Sequence, residues 1–370
     1  MERICETLML LRTKYRFNGY IHVKAIPGAP DELLSRAGYL ADRVSINLEL
    51  PTAQSLSKLA PNKSFKTILE PMEKITGTIA ANRLALGKDA RMERSSINRY
   101  LTGSIFNQNG TDNGQAALSG TQRTALESGD KLSLPAVSKD MCVKRPFAPA
   151  GQSTQMIIGA TPETDLTLIR TTQHLYKNYD LKRVFYSAYI PLNEDSALPQ
   201  LDADVPLLRE HRLYQADWLL RFYGFQADEL LSESRPNFNE QLDPKCDWAI
   251  RHLGQFPVEV QNASYDMLLR IPGIGPKSAR RIVETRRYAK LDFDILKKIG
   301  VVLKRAHYFI TCNGRMMYRI PIEESYITEC LTDDNHKENW EITHQNEKYQ
   351  QLSLFIWRSV YVYIYMREYI

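Results

Sequence analysis

The sequence predicts an α/β fold that is followed by a purely helical segment. Four short runs rich in β-branched and aromatic residues are typical of strands, and they are Tyr20–Ile26, Arg43–Leu50, Gln155–Ile158 and Arg183–Ile190. Helical stretches separate them at Pro30–Gly38, Ala53–Leu59 and Thr164–Tyr179. This alternation of strand and helix favours parallel pairing with right-handed crossovers. After about residue 263 the strand pattern gives way to short helices joined at glycines.

The segment LLRIPGIGPKSARRIV, residues 268 to 283, predicts two helices joined by a tight turn. Ser264 can cap the first helix, and a proline suits the first position of the second. Gly273 and Gly275 lie between the helices, where a residue able to adopt φ > 0 is needed. A weaker copy follows at Phe293–Ala306, with a single glycine at its bend. The segment is therefore predicted to be a pair of helical hairpins.

Positive charge is concentrated on these hairpins. Residues 264 to 310 contain eleven Lys or Arg and four Asp or Glu, and this surplus of +7 exceeds the +5 of the whole chain. The turn directs unpaired backbone N–H groups outward at a helix N-terminus, which favours an anion. The residues predicted to hold that anion are Gly273, Gly275, Lys277, Ser278, Arg280 and Arg281. We therefore predict contacts with phosphate groups.

This segment resembles a helix-hairpin-helix motif, which grips the nucleic-acid backbone without reading its sequence. DNA is therefore the expected partner. The alternative is that the hairpins bind protein or only pack against the fold. A predicted helix at Leu207–Tyr223 carries an aromatic stripe, which we interpret as core packing, with stacking on an unpaired base as the alternative.

Composition argues against several classes of protein. No run of about 18 apolar residues occurs, so no transmembrane helix and no membrane partner are predicted. The five cysteines are scattered and odd in number, which argues against a disulfide framework and for the reducing cytoplasm. No CxxC or comparable cluster occurs, so the residues predict no metal site.

Six stretches of the chain resemble one protein family. They are Phe17–Gly28, Asn47–Pro51, Phe147–Met156, Ile157–Thr164, Tyr186–Glu194 and Arg209–Gly224. The family comprises radical S-adenosylmethionine (radical SAM) proteins of DNA modification or repair that end in a helix-hairpin-helix and are associated with a uracil-DNA-glycosylase-like partner. The resemblance spans residues 12–75 and 145–312.

The resemblance implies a partial (β/α) radical SAM-type barrel, with the last strands only, followed by an all-α helix-hairpin-helix domain. It also implies S-adenosylmethionine and a 4Fe–4S cluster as cofactors. The cofactor side would include Asn47, Glu49, Gly159 and Glu163. The substrate side would include Gln152, Ser153, Gln155 and Tyr186. The four cofactor-side residues and Tyr186 lie in or just beyond the carboxyl ends of predicted strands, where ligands of α/β folds bind.

The sequence departs from the family at the cluster loop. The family's CxxxCxxC spacing is absent, and so are the first two strands of the barrel. We expect a truncated or split gene product, or a start placed too late, and we predict that the chain alone is incapable of radical chemistry. A strand edge near Tyr20–Ile26 should then be exposed. The rival hypothesis is a non-catalytic DNA-binding adaptor in a repair complex.

The chain is predicted to contain five segments. They are a partial barrel at 1–76 and 146–192, a low-complexity insertion at 77–145, a helical connector at 193–262, the tandem hairpins at 263–312 and a flexible tail at 313–370. The tail contains QLSLF, which matches the short motif by which bacterial replication and repair proteins dock on the DNA sliding clamp. The contact residues would be Gln351, Leu352, Leu354 and Phe355.

Overall fold

The computed structural model describes residues 1–87, 133–135, 145–192, 195–200 and 202–332. All five residues of the clamp-like motif, including the four predicted contact residues, and most of the predicted insertion lie outside these ranges. Residues 1–328 form one compact unit, which contains the sheet and both hairpins. Within the described ranges, no helix is long and apolar enough to cross a membrane.

A four-stranded parallel sheet forms the N-terminal half. Its strands, in spatial order, are β1 His22–Lys24, β2 Arg43–Ser45, β3 Gln152–Ile158 and β4 Arg183–Ala188. All three neighbouring pairs are parallel. The α/β class, the four strand positions and their parallel pairing are therefore confirmed, whereas a barrel is not shown. Strand β2 ends before the predicted Leu50, because the backbone N–H of Leu48 is bound by the Thr154 hydroxyl, 2.9 Å away.

Helices cover one face of this sheet. They are α1 Glu2–Thr13, α2 Asp31–Leu40, α3 Ala53–Leu59, α4 Phe65–Ala85 and α5 Asp165–Tyr179. Alternate strand residues, including Val44, Met156 and Val184, are fully buried on the helical face. Helix α4 begins at a capping box formed by Ser64 and Thr67. It continues to Ala85, so the predicted insertion, which starts at residue 77, begins inside a helix.

Side chains form hydrogen bonds with the backbone groups at the outer edge of β4. Helix α6, Leu207–Phe222, lies beside this strand. The Tyr214 hydroxyl accepts from the Tyr186 N–H at 3.0 Å and donates to the Tyr186 carbonyl at 2.8 Å. The Glu210 carboxylate accepts from the Ala188 N–H at 2.8 Å, and the hydroxyl of Tyr176, on α5, accepts from the Val184 N–H at 3.0 Å. At the other end of the sheet, β1 pairs only with β2 among the described residues.

The C-terminal half is mainly helical. Its helices are α7 Ala227–Leu230, α8 Pro244–Arg251, α9 Tyr265–Arg270, α10 Pro276–Thr285, α11 Phe293–Lys298, α12 Leu303–Ala306 and α13 Glu324–Thr332, with a 3-10 turn at Leu253–Gln255. The prediction of an all-α domain was wrong. Two short parallel strands, β5 Val258–Glu259 and β6 Ile310–Thr311, bring together the two ends of the hairpin segment. Strands of two residues are too short for an alternating pattern to reveal them.

Candidate nucleic-acid interface

The first hairpin consists of α9, a turn and α10. The Ser264 hydroxyl caps α9 by accepting from the Met267 N–H at 3.1 Å. Gly273 has φ +82°, a conformation that side chains disfavour, and Pro276 is the first residue of α10. These local features confirm the predicted helix, turn and helix.

The second hairpin consists of α11, a bend and α12. The Asp292 carboxylate caps α11 by accepting from the Ile295 N–H at 2.7 Å. Gly300, at the bend, has φ +91°. The helix, bend and helix predicted at Phe293–Ala306 are therefore present.

The two hairpins support each other through their bends. The Val302 N–H donates to the Gly273 carbonyl at 3.0 Å. In the other direction, the Ser278 hydroxyl donates to the Gly300 carbonyl at 2.6 Å, and Arg281 donates to the Ile299 carbonyl at 3.0 Å. Each bend is therefore hydrogen-bonded to the other hairpin, and the two hairpins form one unit.

An array of free backbone donors lies at the start of α10. Among the described residues, the N–H groups of Gly273, Gly275, Lys277 and Ser278 make no hydrogen bond to the rest of the chain. Helix N-termini carry a partial positive charge, so this array suits an anion. The exposed side chain of Lys277 adds a full positive charge beside it. The array therefore has the geometry that an anion site requires, and anion binding at these residues stays a prediction.

Some side chains of the predicted anion site are exposed, and others form contacts inside the fold. Arg281 is exposed, although it also donates to the second hairpin. Arg280 is half-buried and lies 3.7 Å from Glu284. Ser278 is buried, and its hydroxyl is used internally, so only its N–H remains for a ligand.

Some cations of the hairpin segment form ion pairs or hydrogen bonds inside the fold. Arg270 pairs with Glu229 at 2.9 Å, and Arg305 pairs with Asp243 at 2.7 Å. Arg286 donates to the Ala263 carbonyl at 2.5 Å. Six of the eleven cations are exposed, namely Lys277, Arg281, Arg287, Lys290, Lys298 and Lys304. These are the cations that can reach phosphate.

A buried lysine that the sequence did not reveal binds the turn of the first hairpin from inside the fold. The Lys245 ammonium donates to the Ile274 carbonyl at 2.6 Å and lies 4.7 Å from the centre of the Tyr223 ring. Lys245 is only 8% exposed. Burial lowers the pKa of Lys245 from 10.5 to about 7, although Asp243 acts in the opposite direction. No local signal in the sequence distinguishes this lysine from a surface one.

We expect Lys245→Met to change how the stability of the protein depends on pH. Between about pH 7 and pH 10.5 the unfolded chain keeps the proton on Lys245 while the folded chain loses it. The wild-type free energy of unfolding should therefore rise with pH in this window, relative to the variant, by a few kcal/mol. Urea unfolding of both proteins between pH 6 and pH 10 measures the difference. Parallel curves would show that Lys245 stays charged in the fold.

The predicted cofactor residues lie at the carboxyl end of the sheet. The Glu49 carboxylate accepts from Lys63 at 3.0 Å, and the Glu163 carboxylate accepts from the Thr52 hydroxyl at 2.9 Å. Burial alone would raise the pKa of Glu163, but hydrogen bonds from Ser55, Thr161 and Thr52 outweigh it and lower the pKa. Asn47 is half-buried two residues beyond the end of β2. These acids are therefore already bound to neighbouring side chains.

Gly159 has a structural reason to be glycine. Its φ is +86°, and a Cβ there would lie 2.6 Å from Cγ of Pro206. The resemblance places Gly159 on the cofactor side, but the close approach to this glycine is made here by a proline of the same chain.

The four predicted substrate-side residues do not come together. Gln152 and Tyr186 face the helices, where Gln152 donates to the Met72 carbonyl at 2.9 Å and the Tyr186 hydroxyl lies 2.7 Å from that of Thr172. Ser153 and Gln155 point to the opposite face, because successive side chains of a strand alternate.

The described cysteines do not fit a 4Fe–4S cluster. Cys5, Cys246, Cys312 and Cys330 are buried and form no disulfide with one another, and they lie in α1, in α8, directly after β6 and in α13. Burial raises the pKa of Cys5 and of Cys246, and it raises that of Cys312 to about 12, whereas cluster ligands must be thiolates. Within the described ranges, no group of three or more His, Cys, Asp or Glu could hold a metal ion.

Two interlocked hairpins with a free, cation-flanked helix N-terminus have the arrangement of the helix-hairpin-helix class and suit an anion such as phosphate. The family model of the helix-hairpin-helix motif matches residues 258–285, from β5 to the end of α10. No curated protein and no solved structure matches the chain significantly. The motif therefore supports nucleic-acid binding, and no comparison supports the radical SAM or uracil-DNA-glycosylase resemblance.

Proposed function

We propose that this chain binds DNA through the phosphate backbone, without reading its sequence, by means of the two interlocked hairpins. The observation that carries the proposal is the row of free N–H groups at Gly273, Gly275, Lys277 and Ser278, beside exposed cations. Backbone N–H groups and lysines recognise phosphate oxygens, which are the same at every base pair. The hypothesis that the hairpins serve only for packing explains their interlocking but not these free donors.

The test is a double variant, Lys277→Ala with Arg281→Ala. We expect DNA affinity to fall by about tenfold or more, and by equal factors for unrelated sequences, because the lost contacts are to phosphates. The log–log slope of affinity against salt, roughly −0.9 for each phosphate neutralised, should become shallower by up to about 1.8. Fluorescence anisotropy with two unrelated duplexes at several salt concentrations measures both quantities.

The matched control removes two exposed lysines from the helices on the sheet, Lys58→Ala with Lys66→Ala. This control loses the same net charge, so its DNA affinity should stay close to that of the wild type. Equal losses in both double variants would mean that net charge alone attracts DNA. Salt-insensitive binding would mean that the hairpins do not contact phosphate.

A second candidate is a radical SAM-type protein of DNA modification or repair, with the hairpins as its DNA grip. The observation in its favour is that Asn47, Glu49 and Glu163 lie at the carboxyl end of a parallel sheet. S-adenosylmethionine would then bind at this end and supply the radical precursor. The cluster that would reduce it finds no ligand set among the described cysteines. A uracil-DNA-glycosylase-like partner, a sliding clamp and a cytoplasmic location remain proposals that stand on the sequence alone.

Anaerobic incubation with iron and sulfide tests this candidate. We expect the chain alone to give no stable cluster absorbance after desalting, because the buried cysteines cannot converge on one cluster. Duplex binding, measured on the same sample, should be unchanged. A stable cluster that is lost when Cys5, Cys246 or Cys312 is replaced would contradict this expectation.

A further inference from the structure

The face of the sheet opposite the helices carries a row of polar side chains at one level. The strand register pairs Lys24 with Ser45, Ser45 with Ser153, and Ser153 with Arg183. These residues all point away from the helices, since the alternate residues Val44 and Val184 are buried against them. The row therefore has a cation at each end and two hydroxyls in the middle.

Neighbouring levels extend the same chemistry. Arg43 lies one level towards the amino ends of the strands, paired in register with His22. Gln155 lies one level towards the carboxyl ends, where its side-chain oxygen accepts from Lys24 at 3.2 Å. The face thus collects groups that donate hydrogen bonds.

The central donors of this face are buried and have no hydrogen-bond partner among the described residues. Ser45 is 3% exposed and Ser153 is 0% exposed, and neither hydroxyl makes a hydrogen bond. The Nε atoms of Arg43 and Arg183 are also buried without a partner. An unsatisfied buried polar group costs about 1–3 kcal/mol, so four together at one place call for an acceptor.

Within the described ranges, no carboxylate of the chain supplies that acceptor. Arg43 and Arg183 form no ion pair there. The adjoining acids are engaged elsewhere, Asp42 with Arg12 at 2.8 Å and Glu49 with Lys63 at 3.0 Å. Burial lowers the pKa of Arg43, and the charges of Arg183 and Arg221 lower it further, although Tyr20 acts in the opposite direction.

We infer that this face binds a phosphoryl group, held by the hydroxyls of Ser45 and Ser153 between the guanidinium groups of Arg43 and Arg183. A phosphoryl group offers several acceptor oxygens, and guanidinium groups bind it through two parallel hydrogen bonds. The group belongs either to a nucleic-acid strand or to a free nucleotide.

The position of the face favours the nucleic-acid strand as the source. Arg221, whose charge acts on Arg43, lies in the last turn of α6. Two residues later, the Tyr223 hydroxyl lies 3.4 Å from the position that a Cβ of Gly275 would occupy. The end of α6 therefore connects the amino ends of the strands to the first hairpin.

Four probes test the inference by titration calorimetry on the full chain: inorganic phosphate, dAMP, and one single-stranded oligonucleotide with a 5′-phosphate or a 5′-hydroxyl. We expect inorganic phosphate to bind saturably, with a Kd of about 1 mM. Ser45→Ala with Ser153→Ala should weaken it about fivefold or more, because two donors are lost while the charge is kept. Arg183→Gln should weaken it about tenfold or more. The matched charge control, Lys66→Gln, should have no effect.

The oligonucleotide arms distinguish the two sources. A preference for the 5′-phosphate that disappears in the serine double variant assigns the site to a nucleic-acid strand. Tighter binding of dAMP than of either oligonucleotide assigns it to a free nucleotide. The hairpin variant Lys277→Ala with Arg281→Ala should keep its phosphate affinity, so failure of the hairpin proposal leaves this one unaffected. Absence of saturable phosphate binding, or equal binding by the serine double variant with an unchanged melting temperature, overturns the inference.

Discussion

Replacing Gly273 with alanine is expected to destabilise the paired hairpins and to weaken DNA binding by tenfold or more, which is about 1.4 kcal/mol of binding free energy. The φ of +82° disfavours any side chain, and the added Cβ would lie 2.4 Å from the Val302 carbonyl oxygen. This oxygen belongs to the backbone of the second hairpin and cannot rotate away. Strain and overpacking together should reduce the free energy of unfolding by roughly 3–5 kcal/mol.

Two glycines provide the controls for this variant. Gly28 has φ +79° but nothing within 4 Å of the added Cβ, so Gly28→Ala should show only the backbone strain, about 1–2 kcal/mol. Gly275 has ordinary φ, and its Cβ would meet only the Tyr223 hydroxyl at 3.4 Å, so Gly275→Ala should fold normally. Urea unfolding and anisotropy compare the three. Equal losses of stability for Gly273→Ala and Gly28→Ala would show that the hairpin contact contributes nothing.

Replacing Asp217 with alanine should reduce the free energy of unfolding by about 3–5 kcal/mol, the usual cost of leaving a buried charge unpaired. The Asp217 carboxylate is 0% exposed and accepts from Arg221 at 2.7 Å and from the Tyr176 hydroxyl. Burial alone would lower the pKa of Arg221, but Asp217 outweighs it and raises that pKa. Removing the acid leaves a buried guanidinium without its partner.

The matched control is an exposed ion pair of similar geometry. Asp228 lies 2.6 Å from Arg170, and both side chains are largely exposed. Asp228→Ala should therefore cost at most about 1 kcal/mol. Chemical unfolding of both variants at pH 7 measures the contrast. If the two losses are similar, the Asp217 carboxylate is not what secures α6.

The sequence predicts most accurately what depends on neighbouring residues. Capping by Ser264, the glycine turn and a proline after it lie within a few positions of one another, and all are found where expected. The parallel strands also follow from local alternation with helices. The ion pairs that Arg270 and Arg305 form inside the fold could not be predicted, because their partners Glu229 and Asp243 lie far along the chain.

The site predictions at the sheet illustrate a second limit. Strand alternation alone separates Gln152 from Ser153, so these two neighbours could never share one ligand face. The hydroxyl of Ser153 became informative only when the register placed it between Ser45 and Arg183. The register that pairs Ser45 with Ser153 joins residues more than a hundred positions apart, and no local pattern encodes it.

The side chains that hydrogen-bond the backbone groups at the outer edge of β4 prevent another strand from pairing there. Hydroxyls of Tyr176 and Tyr214 and the carboxylate of Glu210 occupy the backbone groups that another strand would need. Displacing them would expose buried polar groups, which is costly. Edge-to-edge pairing by any further strand, whether from this chain or from another molecule, is therefore directed to β1.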